Sequence, residues 1–401
     1  MEEVNQSKET KYTLGELVKY FFYLGCAGFG GPVALVGYMR RDLVEKKQWI
    51  SEDNYKEGLA LAQLSPGPMA AQLSIYLGFV DYGILGASLT GLAFVLPSFF
   101  MVLVIGIAYK EYGGLSWMQA IFYGVSAAVI GIISLSAYKL STKSIGAFNK
   151  KSFLENGFLW LLYLVGFLMT VITQREDVLI FLGAGFLYMF IKSPPDWNKK
   201  NITKSIFLFM PTIIWSTDNK TLWNIGWFFA KAGAFVFGSG LAIVPFLHGG
   251  IVKEFGWLTE KEFLDAVAVA MITPGPVVIT AGFIGYLVGG VAGASVAALA
   301  TFLPCYILTL ILAPYFKKIA KNTSIKAFVQ GITASVVGAL TGAVAIIAYR
   351  TLVKTIGGID FILLAIVLST IFVLLRYKKI QEPLIILVSA ITGFIIKTYL
   401  V

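Results

Sequence analysis

Two short stretches hold the residues best suited to chemistry in this chain. The first is Gln63-Leu64-Ser65-Pro66-Gly67-Pro68, followed by Gln72. The second is Thr273-Pro274-Gly275-Pro276-Val277-Val278. Each sets a Pro-Gly-Pro break between two apolar runs, and what such a break offers is anion binding. Pro68 and Pro276 stand where a helix would start, and there a missing N–H costs nothing. The N–H groups that follow, at Met69, Ala70, Val277 and Val278, would lack intrahelical partners and face a ligand from the positive end of the helix dipole. Gly67 and Gly275 allow close approach to the backbone. Ser65 and Thr273 add hydroxyls, and Gln63 and Gln72 add amide donors. The competing reading is a tight turn between packed helices, with the glutamines as interhelical hydrogen-bonding groups.

Other residues join the candidate set. Gly30 and Gly31 sit in a glycine run, Gly28-Phe29-Gly30-Gly31, that either lets helices pack closely or breaks a helix to expose N–H groups. Gly238, Ser239 and Gly240 occupy the corresponding place later in the chain. Lys231 lies inside an apolar segment. An intramembrane lysine is a functional candidate by default, and snorkelling to an interface is its plainer reading. Arg40 and Arg41 set topology or line a cytoplasmic entrance that gathers anions. Glu57 and Asp265, near the starts of the two broken hairpins, either cap their helices or carry a coupling proton.

These residues need a frame that holds a polar break inside a membrane. The chain has 401 residues, 57% hydrophobic and 13% charged, with mean hydropathy +0.79. That composition belongs to an all-α polytopic membrane protein in the plasma membrane, with the lipid bilayer as its solvent. The net charge of +10 sits mostly in short loops, which reads as topology determination and not as nucleic-acid binding. Residues 1 to 19 show no secretory signal pattern. Cys26 and Cys305 fall in apolar segments without metal spacing, and there is a single histidine, His248. Without metal, P-loop or nucleophile motifs, the expectation is no cofactor and no enzyme.

Apolar segments run from Leu17 to Met39, Gly83 to Tyr109, Trp117 to Tyr138, Gly157 to Thr173 and Val178 to Ile191. A second set runs from Leu222 to Leu247, Val288 to Pro314, Ala327 to Tyr349, Phe361 to Leu375 and Leu384 to Ile396. The sets are copies. An offset of 208 pairs Pro66 with Pro274, Phe29-Gly30 with Phe237-Gly238, Trp49 with Trp257, Glu52 with Glu260 and Glu57 with Asp265. After the break an offset of 207 pairs Gly86-Ala87-Ser88 with Gly293-Ala294-Ser295 and Leu96-Pro97 with Leu303-Pro304. One register held with a single slip marks an internal duplication. Residues 1–191 form the N-terminal repeat, 192–221 a linker with an interfacial helix at Ile206 to Trp215, and 222–401 the C-terminal repeat.

Basic residues swap sides between matching loops. Arg40, Arg41, Lys46, Lys47 and Lys56 face only Lys253 and Lys261 in the copy, while Lys110 faces Lys317, Lys318, Lys321 and Lys326. Under the positive-inside rule the repeats are inverted. Five spans plus one re-entrant hairpin per half satisfies that parity and puts the N-terminus outside. The rival count makes Leu17 to Met39 a second hairpin and Ile206 to Trp215 a span.

Phe29-Gly30-Gly31-Pro32, Trp49 with Glu52, Gln63 to Pro68 with Gln72, and Leu96-Pro97 resemble the chromate ion transporter family. Phe237-Gly238-Ser239-Gly240, Gly256-Trp257-Leu258-Thr259 and Thr273-Pro274-Gly275-Pro276 resemble its second half. The chain is similar to the long, fused two-half form. The resemblance implies chromate export with possible exchange for sulfate, a related oxyanion. Uptake of such an oxyanion is the alternative, and a passive channel or membrane-embedded enzyme stands further off. The partners expected are an oxyanion and lipid, with a homodimer left open.

Overall fold

The computed structural model describes residues 12–174, 178–195, 220–235, 240, 243–316, 322–354, 358–377 and 380–399. Helix α1 (Leu14–Ala27) starts at a capping box formed by Thr13 and Glu16, which satisfies two otherwise orphaned donors. It ends at Gly28. Helix α2 (Gly31–Met39) begins after Gly30, whose φ of 105° needs a glycine. It widens into a looser turn over Arg40–Lys46.

The segment from Leu17 to Met39, expected first as a span, follows the alternative and returns as a hairpin. Trp49, just beyond its end, stacks on Tyr12, just before its start, with ring centroids 5.1 Å apart. Hydropathy counts apolar residues and is silent on direction, so two half-length limbs read as one span.

Helix α3 (Glu52–Leu64) is capped by Ser51 and leads to the first Pro-Gly-Pro turn. Helix α4 (Met69–Tyr112) is two antiparallel limbs, reversed at Gly83 with φ 59° and ψ −148°. Thr90 Oγ1 donates to the Ser74 carbonyl at 2.9 Å, and Gly86 lies against Gly78. The return limb ends where α1 starts, because the Tyr82 hydroxyl donates to the Tyr12 carbonyl. Tyr12, Trp49 and Tyr82 therefore share one face of the layer.

From that face the second limb of α4 crosses. Helix α5 (Ser116–Ser144) returns, α6 (Lys150–Glu155) is a short surface turn, and α7 (Gly157–Thr173) and α8 (Val178–Lys192) cross out and back. The second half repeats the plan with α9 (Lys220–Phe235), α10 (Ile243–His248), α11 (Glu260–Ile272), α12 (Thr280–Leu312), α13 (Thr323–Leu352), α14 (Phe361–Arg376) and α15 (Glu382–Tyr399). Gly290, φ 62° and ψ −152°, reverses α12 as Gly83 reverses α4. A two-residue antiparallel ladder joins Val353–Lys354 to Gly358–Ile359.

The halves interlock. Helices α7 and α8 pack on α13 of the second half, and α14 and α15 pack on α5 of the first. Small residues make the approach possible, as at Gly166 against Ser335 and Gly124 against Gly393. Without a hydrophobic drive between helices in lipid, such close backbone contact is what holds them. The outer surfaces are apolar, with Ile172 74%, Leu179 73% and Phe361 75% exposed. Five helices among the described residues are long and apolar enough to cross a membrane, and three shorter ones are apolar.

Contacts between the halves set their relative direction. Helix α13 starts beside the end of α8, where Ser193 Oγ donates to Thr323 Oγ1 at 2.8 Å. It ends beside the end of α7, where Arg350 donates to Gln174 at 2.6 Å. Tyr109, at the far end of α4, donates to Asp265 near the start of α11 at 2.7 Å. The second half thus enters from the face opposite to the first. Ser193 and Lys220 lie on opposite faces. Residues 196–219, with the Ile206–Trp215 stretch, lie outside the described residues.

The face with Tyr12 carries Arg40, Arg41, Lys46, Lys47, Lys56, Lys139, Lys143, Lys150 and Lys151. The positive-inside rule makes it cytoplasmic. The chain therefore enters α1 from the cytoplasmic side. This corrects the expectation of an external N-terminus, which followed from counting Leu17 to Met39 as a crossing.

Candidate functional site

The hairpin tips meet at mid-layer, and they meet across the halves. A Cβ on Gly67 would lie 2.4 Å from Cys305 Cβ, and one on Gly275 would lie 2.0 Å from Ser98 Oγ. Cys305 is the copy of Ser98, each following a Pro inside a crossing limb, Pro304 or Pro97. Each Pro-Gly-Pro turn thus seats on the other half's proline-interrupted helix. The seats require glycine, since φ is 135° at Gly67 and 95° at Gly275. The Gly275 N–H also donates to the Gly28 carbonyl at 2.9 Å. A Cβ on Gly240 would stand 3.5 Å from Pro32 and 3.4 Å from Val277. Pro32 and Gly240 are copies of one another under the 208-residue offset, so matching points of the two halves approach each other here.

Within the first turn, Gln72 is fully buried. Its Nε2 donates to Ser65 Oγ at 2.6 Å and to the Pro66 carbonyl at 2.7 Å. Both amide protons are spent on bracing the turn, and Oε1 is left without a partner. Thr273 Oγ1 donates back to the Val269 carbonyl at 2.7 Å. Met69, Ala70, Val277 and Val278 are all buried, and Val277–Ile279 form a tight three-residue turn ahead of α12. The Pro-Gly-Pro amides are packed inside the protein. The open spot is the start of α2. Gly30 provides no side-chain cap, nothing stands within 4 Å of where a Gly31 Cβ would be, and residues 29–33 are half-buried or exposed.

Other expected residues lie apart from this cluster. Gln63 is exposed on α3. The Lys231 ammonium sits 5.7 Å from the ring of Trp227, one turn back toward the start of α9, as snorkelling would have it. Arg40 pairs with Glu45 at 3.1 Å and Glu52 at 3.2 Å. Arg41 holds Asp42 through two bonds of 2.9 and 3.1 Å, which keeps the Asp42 carboxyl below the usual range. Helix capping at Glu57 and Asp265 is corrected, because Ser51 and Thr259 cap α3 and α11. Asp265, 1% exposed, is instead held by Tyr109, and its Oδ1 has no partner. Gly238 and Ser239 lie outside the described residues.

Sequence reasoning passed over Ser98 and gave neither Cys305 nor Gly28 a role at the tips. The repeated Leu-Pro pairs at Leu96-Pro97 and Leu303-Pro304 were the signal, since the residue after each forms the seat.

Interlocked halves, with broken helices meeting inside the layer, form an all-α multi-pass membrane protein. The chain belongs to the chromate transporter family. The family profile described as "Chromate transporter" matches residues 15–189 and 223–394, covering both copies. The chain is 59% identical to a "Chromate transport protein" of Cupriavidus metallidurans, over 96% of this chain and 93% of that one. It is 55% identical to a "Probable chromate transport protein" of Synechococcus elongatus, over 96% of each. A "Chromate transport protein" of Pseudomonas aeruginosa is 28% identical over 95% of this chain and 92% of its own length. No solved structure matches.

Proposed function

We propose that the chain is a secondary transporter that exports chromate, with sulfate as its exchange partner. The observation that carries this reading is the reciprocal seating of Gly67 on Cys305 and Gly275 on Ser98. Two turns that swap seats between the halves can be loosened alternately, opening mid-layer first to one face and then to the other. The oxyanion is held at the start of α2, where the uncapped N–H groups after Gly30 and the space at Gly31 replace part of its hydration. Gln72, Ser65, Gly67, Pro68, Thr273, Gly275 and Pro276 act by positioning the tips. Desolvating the ion costs several kcal/mol, so the site returns hydrogen bonds without enclosing it fully.

The names of the relatives support chromate as cargo. Vesicles containing the purified chain, loaded with sulfate and diluted into labelled chromate, test the reading. Chromate accumulation that depends on internal sulfate is expected. Chromate flux indifferent to sulfate would remove the exchange. Movement of sulfate alone would replace the cargo with sulfate, and movement of neither would end the proposal.

A further inference from the structure

The external face holds a cavity of about 770 Å³ between α5, α11, α13 and α15. Three basic residues, Lys261, Arg350 and Lys397, line this one space. Its one lining carboxylate, Glu260, is already engaged. Lys253 Nζ lies 2.8 Å from Glu260 Oε1, and Arg350 and His248 also bond to it. Arg350 reaches Gln174 with its second nitrogen at 2.6 Å. The Lys397 ammonium rests 5.0 Å above the Tyr123 ring, and the Tyr123 hydroxyl donates to Asp360 at 2.9 Å. Ser116, Thr351 and Thr398 add hydroxyls to the wall.

We infer that this cavity is an oxyanion-binding vestibule, in which Lys261, Lys397 and Arg350 hold a tetrahedral dianion at the external end of the pathway. The inference rests on the transport reading for its physiological sense, though not for its chemistry. A cleft lined by one sign of charge with low-dielectric walls focuses its field and raises the local concentration of the opposite ion. Ammonium groups on flexible stems act as strongly hydrated point charges. They suit a site that must hold an ion weakly enough to release it. The cavity is roomy enough for such an ion with water still around it. Lys261 and Leu264 come from α11, the limb that leads to Gly275. An anion in the vestibule therefore touches the base of the hairpin whose tip seats on Ser98.

The test uses the full chain in right-side-out membrane vesicles, with Ser116→Cys and Thr398→Cys labelled by a membrane-impermeant maleimide. The unsubstituted protein sets the background from Cys26 and Cys305. Sulfate and molybdate are the probes, because chromate oxidises thiols, and chloride at matched ionic strength is the control. Both dianions are expected to slow labelling at least threefold. That protection should vanish when Lys261→Gln and Lys397→Gln are introduced together. Labelling indifferent to dianions, or protection that survives the double replacement, overturns the vestibule. Chromate flux is measured in the same membranes. Flux without protection defeats the vestibule alone, and protection without flux defeats only the transport reading.

Discussion

The amide of Gly275 donates to the carbonyl of Gly28 across 2.9 Å, tying the second half's Pro-Gly-Pro tip to the first hairpin tip of the other half. The bond joins residues of different copies, so this contact exists only when the halves are interlocked. This relationship makes the tip glycines sensitive to change.

Gly275→Ala is expected to reduce chromate transport at least tenfold while the protein still inserts. The new Cβ meets Ser98 Oγ, and a side chain at this φ adds strain of about 1–3 kcal/mol. Adding Ser98→Gly relieves the clash and not the strain, so flux in vesicles should recover in part. Full activity in the single variant would mean that the seat has no role.

Gln72→Leu is expected to lower the thermal unfolding temperature, because two buried hydrogen bonds of about 1 kcal/mol each are lost and the Ser65 hydroxyl and Pro66 carbonyl keep only their long mutual bond of 3.4 Å. Substrate affinity in the surviving protein should change little. Unfolding followed in detergent beside sulfate binding separates the two effects. An intact melting temperature with lost affinity would make Gln72 a ligand contact.

Gly15→Cys and Lys46→Cys should both react with an impermeant thiol reagent from the cytoplasmic side, and Glu111→Cys from the external side. The stacking of Trp49 on Tyr12 requires the first pair to agree. Reaction of positions 15 and 46 from opposite sides would restore the spanning reading of Leu17 to Met39.

The Arg41–Asp42 pair has a signed pH dependence. Its hydrogen bonds depress the Asp42 carboxyl in the folded state. The pair contributes stability above the ordinary Asp range and loses it as pH falls through the lowered folded value. Asp42→Asn should therefore melt slightly lower than the parent at neutral pH and coincide with it in strong acid. The effect is small, because Arg41 is about half exposed. A gap that widens on acidification would show the sign to be wrong.

Much of the frame was legible along the chain. The 208- and 207-residue offsets pointed to a duplication, and the alternation of basic loops pointed to an inversion. The Gly28–Gly31 run was visible as a break, but its consequence was not. A glycine break in an apolar run fits both a bent span and a hairpin, and only the stack of Tyr12 on Trp49 decides between them. Gln72 was recognisable as an amide donor beside the break. That it braces Ser65 and Pro66 depends on how the turn closes.

Local chemistry was settled by the sequence itself: which runs are apolar, where proline and glycine interrupt them, and which face carries positive charge. Those properties depend on each residue and its near neighbours. Tertiary structure decided the direction in which broken segments return, the exchange of α7 and α8 for α14 and α15 between the halves, and the seats at Ser98 and Cys305. These depend on contacts between residues far apart in the chain, made by small side chains and backbone carbonyls whose identity alone does not name a partner.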